Sequence, residues 1–280
     1  MEGIMYQNYS VLMSVYVKEN AEYFQKAIES IFAQTVLTDD FVLVCDGPLN
    51  IELNQVIAKM QRQYPEILHV IRLEKNMGLG NALNYGIKQC KNELIARMDS
   101  DDISRPDRCE KQLEIFKNHE EISIVSGTVE EFDSTPDNVT VQRVLPEKHN
   151  DIIKFAQKRN PFNHPCVMYK KSAVEVAGGY QDFYLLEDYY LWVRMLQSGS
   201  YGYNLQICLL WMRAGESMYK RRSGQKYAKA QRALFKYMYQ SDFITKEQYR
   251  RNSIVRTISS LVPNFVRKSL YALLLRKKVV

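Results

Sequence analysis

Three aspartates stand within four residues, Asp99, Asp101 and Asp102, directly after the apolar run Leu94–Met98. Carboxylates this close repel one another unless a cation or a set of donors neutralises them. Hard dications such as Mg²⁺ and Mn²⁺ are held by one or two carboxylates and complete their shells with water and substrate phosphates, so the cluster points to a phosphorylated substrate. Two plainer readings compete. Asp102 or Ser104 could cap a helix opened by Pro106. Asp99, Asp101 and Glu110 also occupy positions 1, 3 and 12 of an EF-hand loop, but Ile103 replaces a ligand there, Ser104 replaces the turn glycine and Pro106 stiffens the chain. A lone D-x-D decides nothing, and its meaning depends on the polar residues that share its crevice.

Those residues close successive apolar runs. Val11–Tyr16, Phe41–Cys45, His69–Leu73 and Leu94–Met98 alternate with helical patterns over 23–33, 51–64, 79–90 and 108–118. Such alternation predicts βαβ units and a mainly parallel sheet, whose ligands gather at the carboxyl ends of the strands. The residues found there are Tyr16 with Glu19, then Asp46, then Lys75 and Asn76, then Asp99 and Asp101. The stretch from Ile122 to Leu145 reads as irregular strands, a helix is expected from Glu187-Asp188 through Trp192, and Leu205–Trp211 reads as a last strand.

Composition bounds the class. With 280 residues, 46% hydrophobic and 25% charged, the chain can build one sizeable core and a small appended unit. Its net charge of +6 is unevenly spread: residues 216–280 hold sixteen Lys and Arg against Glu216, Asp242 and Glu247, so the tail carries +13 and the body −7. A basic tail on an acidic body implies an anionic partner for the tail. The five cysteines have neither C-x-x-C pairing nor metal-ligand spacing, and read as reduced, mostly buried thiols. Met1–Ser10 has no cationic stretch followed by an apolar one, and nowhere do about 18 apolar residues run uninterrupted. A cytoplasmic protein is expected, possible membrane contact being from that side.

Taken together, Ser14-Val15-Tyr16 with Glu19, Val44-Cys45-Asp46-Gly47, Asn76–Asn84, Ala96–Asp102 and Glu187–Trp192 resemble glycosyltransferase family 2 over residues 10 to about 213. More narrowly, S-V-Y-x-x-E, D-G-P and A-R-M-D-x-D-D resemble bacterial enzymes of the amylovoran-biosynthesis type, which assemble capsule, exopolysaccharide or O-antigen repeat units. The resemblance implies an α/β fold of GT-A type, a Rossmann-like nucleotide-binding sheet flanked by helices, here with a basic C-terminal helical extension. The expected division is a catalytic domain over 1–215 and the extension over 216–280.

Roles follow residue by residue. Val15 and Tyr16 would floor a uracil ring, with Glu19 and Asp46 accepting from its imide or from the ribose hydroxyls. Lys75 would place charge near the diphosphate, and Gly78, Gly80 and Asn81 would bring backbone to the nucleotide at a helix start. By resemblance, Asp99 contacts the ribose, Asp101 binds Mn²⁺ or Mg²⁺, and Asp188 is the general base, with the adjacent Glu187 supporting it. Asp102 is as open to a structural role as to a functional one. Trp192 and Leu191 are expected to pack, Arg194 to pair with a carboxylate, and His164 to be a loop residue.

The implied reaction moves one hexose from a UDP-sugar to a polyprenyl-diphosphate-linked saccharide, with inversion. Nucleic acid is not an expected partner. Val17-Lys18 lacks the proline common after the first strand, Cys45 stands where a second acid is frequent, and there is no Q-x-x-R-W segment, which argues against a processive synthase. A helix over 264–278 would set Phe265, Val266, Leu270, Leu273 and Leu274 on one side, suited to an anionic leaflet or to packing on the catalytic domain. The alternatives are a nucleotidyltransferase, which lacks its phosphate loop at Val17–Ala21, and a non-catalytic membrane- or nucleic-acid-binding module.

Overall fold

The computed structural model describes residues 6–132, 135–214 and 224–261. The first half alternates as expected: β1 (Tyr9–Val15), α1 (Ala21–Phe32), β2 (Asp40–Cys45), α2 (Ile51–Gln63), β3 (Leu68–Arg72), α3 (Leu79–Gln89) and β4 (Leu94–Met98). β5 (Ile103–Ser104), α4 (Arg108–Asn118), β6 (Ile122–Phe132), β7 (Val139–Arg143), α5 (His149–Ala156), β8 (Met168–Lys170) and α6 (Lys171–Val176) follow. α7 (Glu187–Gln197), β9 (Tyr201–Arg213), α8 (Gly224–Gln240) and α9 (Lys246–Leu261) complete the described chain.

The strands form one sheet in the order β3-β2-β1-β4-β8-β6-β9-β5, with β7 beside β6. The β3-β2-β1-β4 block is parallel, and β8 joins it antiparallel to β4. Because β1 is buried on both faces, its centre, Val11-Leu12-Met13, reads as an unbroken apolar run. Val11, Met13 and Val15 pack against α1, α2 and α4 through Phe24, Ile28, Ile57 and Leu113. Leu12, with Val42 and Val44 of β2, packs against α3 and α7 through Leu83 and Trp192.

Two expectations are corrected. Ile122–Leu145 does hold irregular strands, the 11-residue β6 bulged at Gly127–Val129 and then β7, but the last strand runs well beyond Leu205–Trp211, because the 13-residue β9 pairs along the length of β6. Asp102 and Ser104 do not cap α4: Asp107 holds the cap position, and Ser104 lies in β5, where its N–H donates to Ser30 Oγ at 3.0 Å. The helix expected over 264–278 lies outside the described residues.

Candidate active site

Parallel strands all end at one edge, and each expected donor-side residue sits on that edge or in the loop that follows. Val15 is the buried last residue of β1, and Tyr16 turns out of the sheet at 38% exposure. Glu19 lies in the β1–α1 loop, accepting from Asn20 N–H at 2.8 Å and from the Ser100 hydroxyl at 2.7 Å, so the first strand end is tied to the carboxylate cluster. Asn20 caps α1 by accepting from Glu22 and Tyr23 N–H.

Asp46 is buried, and its carboxylate accepts from Met77 N–H at 2.6 Å and Gly78 N–H at 3.1 Å. It therefore shapes the loop ahead of α3, and uracil or ribose would have to take its remaining acceptor capacity. The next residue explains why the loops can approach: Gly47 has φ +90°, and a Cβ there would meet Asn76 N at 2.6 Å. Gly78, with φ +84°, is the N-terminal boundary of α3. Lys75 and Asn81 are exposed on either side, Asn81 donating to Met77 O at 2.9 Å.

Asp99, Asp101 and Asp102 each present an oxygen, all within 4.8 Å of one another. Asp99 pairs with the guanidinium of Arg97, which is buried in β4. Desolvation opposes that positive charge, but Asp99, Tyr180 and Asp102 outweigh it and raise the Arg97 pKa. Asp102 is buried and accepts the Arg213 N–H at 2.7 Å, so it stitches the end of β9 to the cluster. Burial, then the charges of Asp101 and Asp99, hold its carboxyl well above the usual range.

Asp101 receives no hydrogen bond from another described residue. Burial, followed by the charges of Asp99 and Glu19, pushes its pKa up to about 7. Hard oxygen donors with excess negative charge, one of the carboxylates bonded only to its own backbone N–H, fit a divalent cation.

The second half supplies the opposite wall. Glu187 and Asp188 open α7. Gly80 at the start of α3 would bring a Cβ 3.5 Å from the Tyr180 Cβ and 3.7 Å from the Glu187 Cβ, so the α3 and α7 starts abut. Asn84 locks the same contact, donating to Tyr180 O at 2.5 Å and accepting Tyr180 N–H at 2.7 Å. Asp188 accepts from Asn160 Nδ2 at 2.5 Å and from Tyr189 N–H at 2.7 Å, which fixes both carboxylate oxygens.

Several neighbours escaped sequence reasoning. Arg97 did announce itself, as a charge inside a buried strand, whereas Asn160, Ser100 and Arg213 carried no pattern. Arg213 lies over Tyr23 at 3.6 Å and donates from Nε to Asp101 O at 3.2 Å. Trp192 packs, as expected, amid Phe162, His164, Tyr169 and Tyr180. His164 Nε2 lies 2.8 Å from the Tyr180 hydroxyl. Arg194 is a correction: it binds the carbonyls of Ala177 and Gly179 beyond α6, not a carboxylate, because those unpaired carbonyls lie beside α7. Two surface hollows, at Tyr6–Tyr9 with Glu110 and at Lys148–Asp151 with Tyr201, are lined by none of these residues.

The profile of the family described as "Glycosyl transferase family 2" matches residues 10–177. The chain belongs to glycosyltransferase family 2. It is therefore an enzyme that transfers a sugar, and the carboxylate edge is the family 2 candidate active site. It is 38% identical over 269 residues to the Escherichia coli UDP-Gal:alpha-D-GlcNAc-diphosphoundecaprenol beta-1,3-galactosyltransferase, covering 96% of this chain and 97% of that one. Against the amylovoran biosynthesis glycosyltransferase AmsE of Erwinia amylovora it is 39% identical over 266 residues, covering 94% and 97%.

Among solved structures, S. aureus TarS 1–349 in complex with UDP-GlcNAc superposes with a TM-score of 0.66 at 16% identity, over 95% of this chain and 76% of that one. The Pyrobaculum calidifontis mannosyltransferase PcManGT, in complex with GDP-Man and Mn2+, gives 0.62 at 13% identity, over 97% and 81%. The fold of this family 2 chain is GT-A-like. Its cysteines form no disulfide among the described residues; burial pushes the Cys45 thiol up to about 11. No helix among those residues is long and apolar enough to cross a membrane.

Proposed function

We propose that this family 2 enzyme moves one hexose from a UDP-sugar to a hydroxyl of a polyprenyl-diphosphate-linked saccharide, inverting the anomeric centre. The single observation that carries the reading is the meeting of two walls: carboxylates at the ends of β1, β2 and β4, and, across the contact of Gly80 with Tyr180 and Glu187, an α7 that begins with a doubly held Asp188. UDP-galactose and GlcNAc-diphosphoundecaprenol are the first substrates to try, since they are named for a relative covering almost the whole chain.

On this reading residues 1–215 form the catalytic unit, and 216–280 an extension that keeps the enzyme at the cytoplasmic face of the membrane. Tyr16 and Val15 floor the base, Glu19 and Asp46 accept from the nucleoside, and Asp99 takes the ribose. Lys75, Gly78, Gly80 and Asn81 face the diphosphate at the α3 start, where the helix dipole and the N–H groups beyond those taken by Asp46 favour an anion. Asp101 would hold a divalent cation, Mn²⁺ or Mg²⁺, which would supply positive charge to the departing diphosphate.

Asp188 takes the proton of the acceptor hydroxyl as that oxygen bonds to the anomeric carbon. The carbon–oxygen bond to phosphate breaks on the opposite face, its electron pair leaving with UDP. Because Asn160 and the Tyr189 N–H fix both oxygens of Asp188, the base is oriented before substrate arrives. Glu187 supports it from the same helical turn. An α-linked donor thus gives a β-linked product.

Incubation of the enzyme and Mn²⁺ with UDP-galactose and the lipid acceptor should release UDP and lengthen the acceptor by one sugar. If no nucleotide sugar binds and no UDP is released with any donor, the reading falls.

A further inference from the structure

Beyond Tyr249, which stacks on Tyr239 of α8, the helix α9 meets the body through polar groups. A helix in a globular protein normally turns its apolar stripe to the core and its polar face to water. Here Gln248, Asn252 and Arg256, spaced four residues apart on one side, face the body. Gln248 Nε2 donates to Gln157 Oε1 at 2.9 Å, Asn252 Nδ2 to Gln157 O at 2.8 Å, and Arg256 Nη2 to Lys158 O at 2.7 Å. The other side carries Ile254, Val255 and Ile258 into solvent at 61%, 56% and 58% exposure. Arg250 lies one turn before Ile254, Arg251 one turn before Val255, and both are exposed.

We infer that this outer face of α9 is the surface by which the enzyme lies on an anionic lipid bilayer, with Ile254, Val255 and Ile258 entering the headgroup boundary and Arg250 and Arg251 meeting lipid phosphates. The charge decides among occupants. Glu247 shares this face, so each copy brings two arginines against one glutamate, a net like charge, and the remaining chain, residues 262–280, carries five Lys and Arg and no acid. An anionic surface complements the face, since apolar insertion and basic attraction add. This deepens the membrane reading above but is argued from α9 alone.

Its position also suits the acceptor. The segment that α9 grips, Gln157-Lys158, lies two residues before Asn160, whose amide holds Asp188. A bilayer against α9 therefore shares one short brace with the candidate base, so a saccharide on a lipid diphosphate would emerge on the Asp188 side of the site.

Flotation of the full chain with vesicles of phosphatidylcholine, or of phosphatidylcholine mixed with phosphatidylglycerol, tests the inference. Wild type should float with the anionic vesicles and less so as salt rises. The Ile254→Asp/Ile258→Asp and Arg250→Gln/Arg251→Gln variants should each lose binding by about tenfold or more. Both variants should keep the wild-type melting temperature and the slow release of UDP from donor into water, because their side chains touch neither core nor site. Unaltered vesicle binding in the isoleucine variant overturns the inference, as does failure of wild type to bind. So does a solution dimer that the isoleucine variant dissociates. Vesicle binding with no UDP release from any donor would leave the α9 face standing and remove the catalytic reading.

Discussion

The two walls of the site are held by different means. On the donor side, Glu19, Asp46 and Asp99 sit at or just past the ends of parallel strands, so ladder hydrogen bonds set their spacing before any side chain is considered. On the acceptor side, Asp188 stands at a helix start reached through Leu185, a non-glycine residue at φ +56°, and Asn160 fixes it from another loop. The first wall is a property of the sheet, the second of a few side-chain contacts. Damage to the second should therefore reach turnover while sparing donor binding.

The widest separation is expected from Asp188→Asn. Loss of a general base typically costs about 10²- to 10⁴-fold in rate, and here kcat should fall by that much while UDP binding, followed calorimetrically, stays at the wild-type value. Equal losses in both would merge the two walls into one. On the donor side the largest effects should be on stability, and unequal within one ion pair. Asp99→Asn takes from the buried Arg97 guanidinium its paired carboxylate and leaves Asp102 as the nearby charge, so the cost should approach but not exceed the ~3–5 kcal/mol of a broken buried pair. Arg97→Met should cost less: Asp99 is 34% exposed and can turn to water, and the change removes Nε and Nη1, which find no acceptor among the described residues. Urea unfolding of both variants checks the order, and the reverse order would contradict it.

That asymmetry parallels what could be read from the chain. The parallel half was legible because a strand buried on both faces writes itself as an apolar run, and the residue after it is then placed by topology alone. Asp46, Asp99 and Asp101 were found that way. Asn160 was not, because a loop amide two residues after Lys158 has no period and no partner nearby in sequence; Asp188 lies 28 residues on. Arg194 was misassigned for a related reason: sequence shows charges to pair with but not the open carbonyls of Ala177 and Gly179. The length of β6 and β9 was also hidden, since each strand is justified only by the other.

Asn160→Ala probes that hidden contact. The carboxylate of Asp188 keeps its Tyr189 N–H but loses the donor that fixes its second oxygen. Misplacement of a reacting group by about 1 Å can cost 10²-fold, so kcat should drop by about 10- to 100-fold, less than for Asp188→Asn, with donor affinity unchanged. In an Asp188→Asn background the same change should do nothing more. Additive effects would mean that Asn160 acts on something other than the base.

The smallest effect should separate the walls by pH. Asp101 is raised from 3.8 to about 7 by burial, then by Asp99 and Glu19. A carboxyl raised on folding contributes stability that is fully present below its ordinary value and lost as pH rises through the folded one. Without metal, the melting temperature should therefore fall by a few degrees between pH 5.5 and 8. Asp101→Asn should make that slope shallower, leaving the part that the raised Asp102 carboxyl contributes, while Asn160→Ala on the other wall should keep it. Mn²⁺ should reverse the trend, stabilising at pH 8, where Asp101 is ionised, and little at pH 5.5, where a proton competes for the same oxygen. A Mn²⁺ stabilisation equal at both pH values would take Asp101 out of the cation site and leave the donor wall's excess charge to be explained by donors alone.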